Sequence, residues 1–278
     1  MIEIHMFFSH SAIFVNGRPS LSMFWRLQYA YITVLVSSCC ISGSLLESTC
    51  IIGGIVLTQD KNRRIIKGNV LVRGDTIESV GRESDKSGRV IDASGSIVMP
   101  GLINMHSHVG MAPLRGRLTG TADLGEFLAE TSRFDSRNGK ELLEASSLIG
   151  IVEMLRTGTT SFLDLYYSED IVARNAKMAG IRANLAWVIL DKEYTTQKGV
   201  PLKNAEDFVR RYTGEELVRP MFGLQGVYVC SEETIGRTME LSDKYDTNVY
   251  YCVPSNKKAP KCASAEATMN SSESGYPL

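Results

Sequence analysis

The stretch Ile97-Val-Met-Pro-Gly-Leu-Ile-Asn-Met-His106-Ser-His108 decides the fold. Two short apolar runs flank Pro100-Gly101, and the second ends on two histidines spaced two apart. In a strand, residues i and i+2 share a side. Both imidazoles can therefore reach one metal ion, at about 2.0–2.1 Å. The C-terminal end of a parallel strand is also where barrels and open α/β sheets place ligands. The expectation is a short buried strand over 102–105, with His106 and His108 as metal ligands at its end. On the residues alone, two surface histidines at a strand end are the competing reading.

Downstream of this stretch, strand and helix patterns alternate. Leu142, Leu143, Ala145, Leu148, Ile149, Val152 and Leu155 recur at three and four, which predicts a helix over 140–156. Strands are predicted over 159–166, 181–190, 220–225 and 248–253, with helices over 169–178, 205–212 and 232–245 between them. Such alternation implies a parallel sheet with helices outside it. Upstream, residues 51–57, 65–72, 76–80 and 89–91 are β-rich runs punctuated by Gly53-Gly54, Asp60-Lys61-Asn62, Gly74-Asp75 and Ala93-Ser94-Gly95.

The chain has 278 residues, 44% of them apolar and 22% charged, so it can bury a sizeable core. Thirty basic and 31 acidic residues leave a formal charge of −1, which speaks against a nucleic-acid binder relying on bulk positive charge. Six cysteines are too few for a disulfide scaffold, and none forms a CxxC pair.

The ends differ from the middle. Residues 1–49 carry only Glu3, Arg18, Arg26 and Glu47 as charges. Residues 27–46 carry none, a length that approaches a membrane span but is diluted by serine and glycine. This segment reads as an atypical extension, with a signal or membrane anchor as the alternative. Residues 256–278 are rich in Ser, Ala and Lys without a hydrophobic period, and read as a disordered tail.

The stretch 97–108 resembles the first barrel strand of the metal-dependent amidohydrolase superfamily. The branch it resembles holds chlorohydrolases, cytosine-deaminase-like enzymes and adenosylhomocysteine or methylthioadenosine deaminases. Leu114-Arg115-Gly116 looks like that branch's LRG. Glu153-Met154, Gly158-Thr159-Thr160 and Phe162-Leu163-Asp164 look like its second-strand signature, and Tyr228-Val229-Cys230-Ser231 like the piece after its fourth strand. The resemblance implies an incomplete (β/α)8 barrel of about five strands over 99–255, preceded by part of a small β-sandwich over 50–98. It implies one divalent metal ion, zinc or iron, that activates water for attack on an aminated heterocycle. His106 and His108 carry over as metal ligands, and Arg115, Gln225 and Tyr228 fall at the family's substrate mouth. Asp164 reads as a hydrogen-bonded helper.

The pattern also departs from the family. Where the fourth strand commonly ends in HAPY, this chain has Gln225-Gly226-Val227-Tyr228, and Gln cannot exchange a proton near neutral pH. Where the fifth commonly ends in HxxE, it has Cys252-Val253-Pro254-Ser255. Cys252 can bind zinc as a thiolate, or be a buried free cysteine, but Ser255 cannot replace a general acid or base. The catalytic residue is therefore left open. The expected activity is hydrolysis of a C–N bond in a small aminated heterocycle such as an aminopurine nucleoside, in the cytoplasm. The alternatives are a truncated, inactive remnant and a membrane-tethered binding protein. Expected partners are a second copy or a complementing second-half chain, with no nucleic acid.

Overall fold

The computed structural model describes residues 12–16, 30–33 and 48–252, apart from 86, 118–123, 138, 196 and 227–228. The chain divides into two compact units, one built from residues of 1–103 and 153–161, the other from residues of 104–152 and 162–277.

The first sheet contains β1 (Ala12–Asn16), β2 (Ala30–Thr33), β3 (Ser48–Leu57), β4 (Ile65–Arg73), β5 (Thr76–Gly81), β6 (Arg89–Asp92) and β7 (Ser96–Pro100). Its order is β2-β1-β7-β3-β4-β5, with β6 paired to β3. The β3–β4 hairpin is antiparallel from Leu57↔Ile65 to Ser48↔Arg73. Its loop is held by the Asp60 carboxylate, which accepts the N–H groups of Asn62 at 3.1 Å and Arg64 at 3.2 Å. Ile51, Val56, Val70, Val72, Ala93 and Val98 form the core of this sheet. Every strand expected between residues 51 and 99 is present. Two further strands come from residues 1–49: β1 runs antiparallel to β7 with Ile13 opposite Met99, and β2 pairs with β1. The β-prone run Ala-Ile-Phe-Val finds an edge whose backbone groups need partners. The remainder of 27–46, and the tail over 256–278, lie outside the described residues.

The second sheet contains β8 (Leu102–Ser107), β9 (Thr159–Tyr166), β10 (Arg182–Ile189), β11 (Val218–Leu224) and β12 (Val249–Tyr251), in the order β12-β11-β10-β9-β8. The β10–β11 and β11–β12 pairs are parallel. Helices α1 (Leu124–Arg137), α2 (Lys140–Arg156), α3 (Glu169–Ala179), α4 (Pro201–Tyr212) and α5 (Glu232–Tyr245) connect the strands. The parallel strands with helices between them follow the alternation, and they form the five-stranded part of a (β/α)8 barrel that the family resemblance implied. On one face Leu163, Leu165, Ala186, Val188 and Met221 cluster, and on the other Ile189, Phe222 and Leu224 pack with Ala205 and Val209 of α4. The period of two along each strand sorts residues between the barrel interior and the helical layer.

Three expectations need correction. The strand expected to be buried over 102–105 is largely exposed, with Ile103 at 63% and Met105 at 65%, because β8 stands at one end of its sheet. Helix α4 begins at Pro201, a turn before the expected start, since proline is favoured in the first helical turn. Helix α1 was not anticipated at all, because Thr131, Ser132, Asp135 and Ser136 dilute its period. Among the described residues, no helix is long and apolar enough to cross a membrane.

Two glycines are fixed by close approach. A Cβ on Gly101 would lie 2.3 Å from Thr160 Cγ2, so the Pro-Gly step lets β8 enter beside β9. A Cβ on Gly223 would lie 2.3 Å from Leu165 Cδ1 and 3.1 Å from both Cβ and the carbonyl oxygen of Ala186. Gly223→Ala is therefore expected to destabilise the chain by about 1–3 kcal/mol through overpacking. Urea unfolding followed by circular dichroism measures this, and an unchanged midpoint would show that the strands can part at no cost.

Candidate metal centre

The site is built at the end of β8. His106 and His108 lie close together as the strand period requires, with ring centroids 4.8 Å apart and planes at 87°. Ser107, between them, points to the other side of the strand. Its hydroxyl lies 2.6 Å from Asp164 Oδ1 and 2.8 Å from the Leu163 carbonyl, sharing its proton between the two acceptors. A 3-10 turn, Val109–Leu114, follows directly, and the Val109 N–H donates to the same Asp164 oxygen at 2.8 Å.

Each histidine is oriented by a neighbouring strand. Nδ1 of His108 lies 2.6 Å from the Leu165 carbonyl oxygen. A carbonyl only accepts, so Nδ1 carries the proton and the Nε2 lone pair is left free. Burial lowers the pKa of His108, opposed by the Leu165 hydrogen bond and reinforced by His106, which keeps the ring neutral at pH 7. Nδ1 of His106 lies 2.5 Å from the Tyr250 hydroxyl. When the Tyr250 hydroxyl accepts a hydrogen bond from an Nδ1–H of His106, that ring also presents a bare Nε2. A neutral imidazole whose second nitrogen is held by a carbonyl or hydroxyl is the usual second-sphere arrangement of a metal ligand. The donor set thus fits a divalent ion as far as these two residues go.

Behind the histidines lie two carboxyl groups with no solvent exposure, Asp164 and Glu169. Burial pushes the Asp164 carboxyl up to about 7, against the hydrogen bonds from Ser107 and Val109. Glu169, the first residue of α3, is raised well above the ordinary carboxylate range by burial and by the Asp164 charge beside it. Further along, the Tyr166 hydroxyl donates to Asp135 Oδ1 at 2.5 Å, tying α1 to the end of β9.

The other expected site residues are scattered in their roles. Arg115 closes the 3-10 turn and is exposed. Gln225 follows β11, is half-buried, and donates its backbone N–H to the Ile189 carbonyl at 3.2 Å. Tyr228 lies outside the described residues, as does Ser255. Cys252 packs against the interior cluster of Leu163, Leu165, Ala186, Val188 and Met221. Burial raises its thiol, which disfavours the thiolate that zinc needs. Among the described residues, no group of three or more His, Cys, Asp or Glu side chains could hold a metal ion, so Cys252 is not brought to the two histidines as a third ligand. The sequence reading also missed Glu169 and Tyr250. A glutamate opening a helix reads as a solvated first-turn acid, and a tyrosine in a strand reads as packing. A cavity of about 740 Å³ lies away from the histidines, beside Tyr167, Trp187, Phe208 and Arg211.

Comparison with known proteins settles the ancestry of this arrangement. The amidohydrolase family's sequence profile matches residues 97–278. The chain belongs to the amidohydrolase family. It is 32% identical over 204 residues to a 5-methylthioadenosine/S-adenosylhomocysteine deaminase of Caldicellulosiruptor saccharolyticus, covering 71% of this chain and 46% of that protein. It is 28% identical over 192 residues to a 5'-deoxyadenosine deaminase of Methanothrix thermoacetophila, covering 68% and 45%. This amidohydrolase chain thus spans about half the length of the curated relatives it matches. Among solved structures, a triazine hydrolase from Arthobacter aurescens superposes with a TM-score of 0.67 at 20% identity, over 74% of this chain and 52% of that one. A zinc-bound adenosine deaminase from Xanthomonas campestris gives 0.64 at 24%, over 73% and 48%. These superpositions carry the barrel fold of the amidohydrolase chain.

The two raised carboxyls make stability depend on pH in a defined direction. An acid whose folded pKa exceeds its unfolded value of about 4 stabilises the fold at low pH, and that contribution is lost as pH rises through the folded pKa. For Asp164 that loss runs from about 4 to about 7, and Glu169 acts in the same direction. Glu169→Gln removes one of these titrations. The variant is expected to gain stability relative to wild type as pH rises above the unfolded glutamate value of about 4, measured by chemical denaturation at each pH. A constant difference, or one of opposite sign, would contradict the paired-acid geometry.

Proposed function

We propose that this chain carries the first-strand part of a divalent-metal site in a C–N hydrolase that deaminates an aminated heterocycle of the adenosine-nucleoside class. The observation that carries the reading is the His108 ring, whose Nδ1–H is fixed on the Leu165 carbonyl while Nε2 stays free beside His106. The names of the relatives, deaminases of adenosine-type nucleosides, support the substrate class. His106 and His108 would hold the ion, zinc or iron. When bound, such an ion supplies Lewis acidity to water and to the substrate. Leu165 and Tyr250 hold the two rings in place, and Asp164 holds the turn that follows. Water adds at the amino-bearing carbon and ammonia leaves, so the C–NH2 group becomes a carbonyl. Arg115 and Gln225 are proposed to face the substrate. Tyr228 is assigned the same role from the sequence motif.

Further ligands would come from barrel strands beyond β12, in the same polypeptide or in a second chain. The free cysteines Cys50 and Cys230, both buried, fit a reducing compartment, and we place the protein in the cytoplasm. A second reading, a non-catalytic relative, is favoured by one observation: Cys252 packs into the apolar interior instead of joining the histidines.

Metal analysis of purified chain separates the two readings. About one zinc or iron per chain is expected, and none in the His106→Ala/His108→Ala double variant. Zinc-loaded wild type is then expected to release ammonia from an adenosine-type nucleoside. Metal-free wild type would overturn the hydrolase reading and favour the non-catalytic one, and metal binding without ammonia release would retain the site and remove the substrate class.

A further inference from the structure

Asp164 and Glu169 are both buried, and neither is a metal ligand in the proposed site. Asp164 uses Oδ1 to accept from Ser107 and Val109, the two residues that flank His108. Among the described residues its other oxygen, Oδ2, forms no hydrogen bond with a donor, and the oxygens of Glu169 have only the Tyr166 backbone N–H near them. The two carboxyl groups lie within hydrogen-bonding reach of each other. Two ionised carboxylates cannot share such a site, because burial removes their hydration and their charges repel. One proton between them relieves both costs.

Which carboxyl holds the proton follows from the partners. Asp164 accepts two hydrogen bonds from Ser107 and Val109, which favours its charged form. Glu169 has only the Tyr166 backbone N–H near it. Its place at the N-terminus of α3 favours a charge only modestly, and burial outweighs that. We propose that Glu169 is a positioning residue: it stays protonated and donates to Asp164 Oδ2, holding Asp164 as the acceptor that locks Ser107 and Val109 and so aims Nε2 of His108. The chain of contacts runs from α3 through β9 to the end of β8. The link to metal rests on the site proposed above, whereas the hydrogen bonds themselves do not.

The test uses the full chain without metal first. In wild type at pH 7, the carbon-13 shift of the Glu169 carboxyl is expected to be that of an acid, and a carboxylate shift would overturn the proposal. Glu169→Gln keeps a donor to Asp164, whereas Glu169→Leu removes it. The Gln variant is expected to retain the slow amide exchange of Val109 and the Nδ1–H tautomer of His108. The Leu variant is expected to exchange Val109 at least about tenfold faster, the opening free energy of one lost buried bond. Equal exchange in wild type and the Leu variant, or loss of protection in the Gln variant, would overturn it. If the Leu variant does not fold, the wild-type shift and the Gln variant still decide. Zinc titration then follows, with binding expected to weaken about 10–100-fold in the Leu variant and to be rescued in the Gln variant. A wild type that binds no zinc sinks the metal-site reading alone, because the shift, tautomer and exchange are recorded without metal.

Discussion

The hydrogen bond from His108 Nδ1 to the Leu165 carbonyl is the constraint on which the site depends. It fixes a tautomer, an orientation and a neutral charge in one contact. It also fixes where β8 must lie against β9, because the donor belongs to one strand's end and the acceptor to the other's backbone. The same strand end supplies Leu163 and Asp164 as acceptors for Ser107. Three consecutive residues of β9 therefore hold three consecutive residues of β8 and its turn, and Gly101 opens the approach for the pair by presenting no Cβ to Thr160.

The division of labour follows the strand period. His106 and His108 share one side of β8, and Ser107 takes the other, where Asp164 is buried. Polar groups on that side carry a desolvation cost that only hydrogen bonds offset. Asp164 meets that cost through Ser107, Val109 and the neighbouring acid. The interior side is instead apolar, from Leu163 to Met221, with Tyr250 and Cys252 packed against it. Burial raises the thiol in that setting, which disfavours the thiolate that a metal ligand needs.

Much of this fold was legible in the sequence. Alternation of period 2 and period 3.6 from residue 97 onward marked five strands and the helices between most of them, and Pro-Gly followed by HxH marked the strand end that matters. What was not legible depended on contacts between distant segments. The burial of Glu169 is invisible in a first-turn acid, because it depends on how α3 packs in the fold. Exposure of β8 follows from its place at the end of a sheet, which apolar content alone does not report. The pairing of Ala12–Asn16 with β7 is likewise a tertiary choice made by a segment whose local sequence allowed several. Helix α1 was hidden by its own serines and threonine.

The most direct test of the account is zinc anomalous diffraction from crystals of the full chain grown with zinc. The account predicts one strong peak about 2.0–2.1 Å from Nε2 of both His106 and His108. Crystals with ordered β8 and β9 and no peak at those nitrogens, or a zinc held elsewhere while His108 Nε2 stays bare, would contradict it.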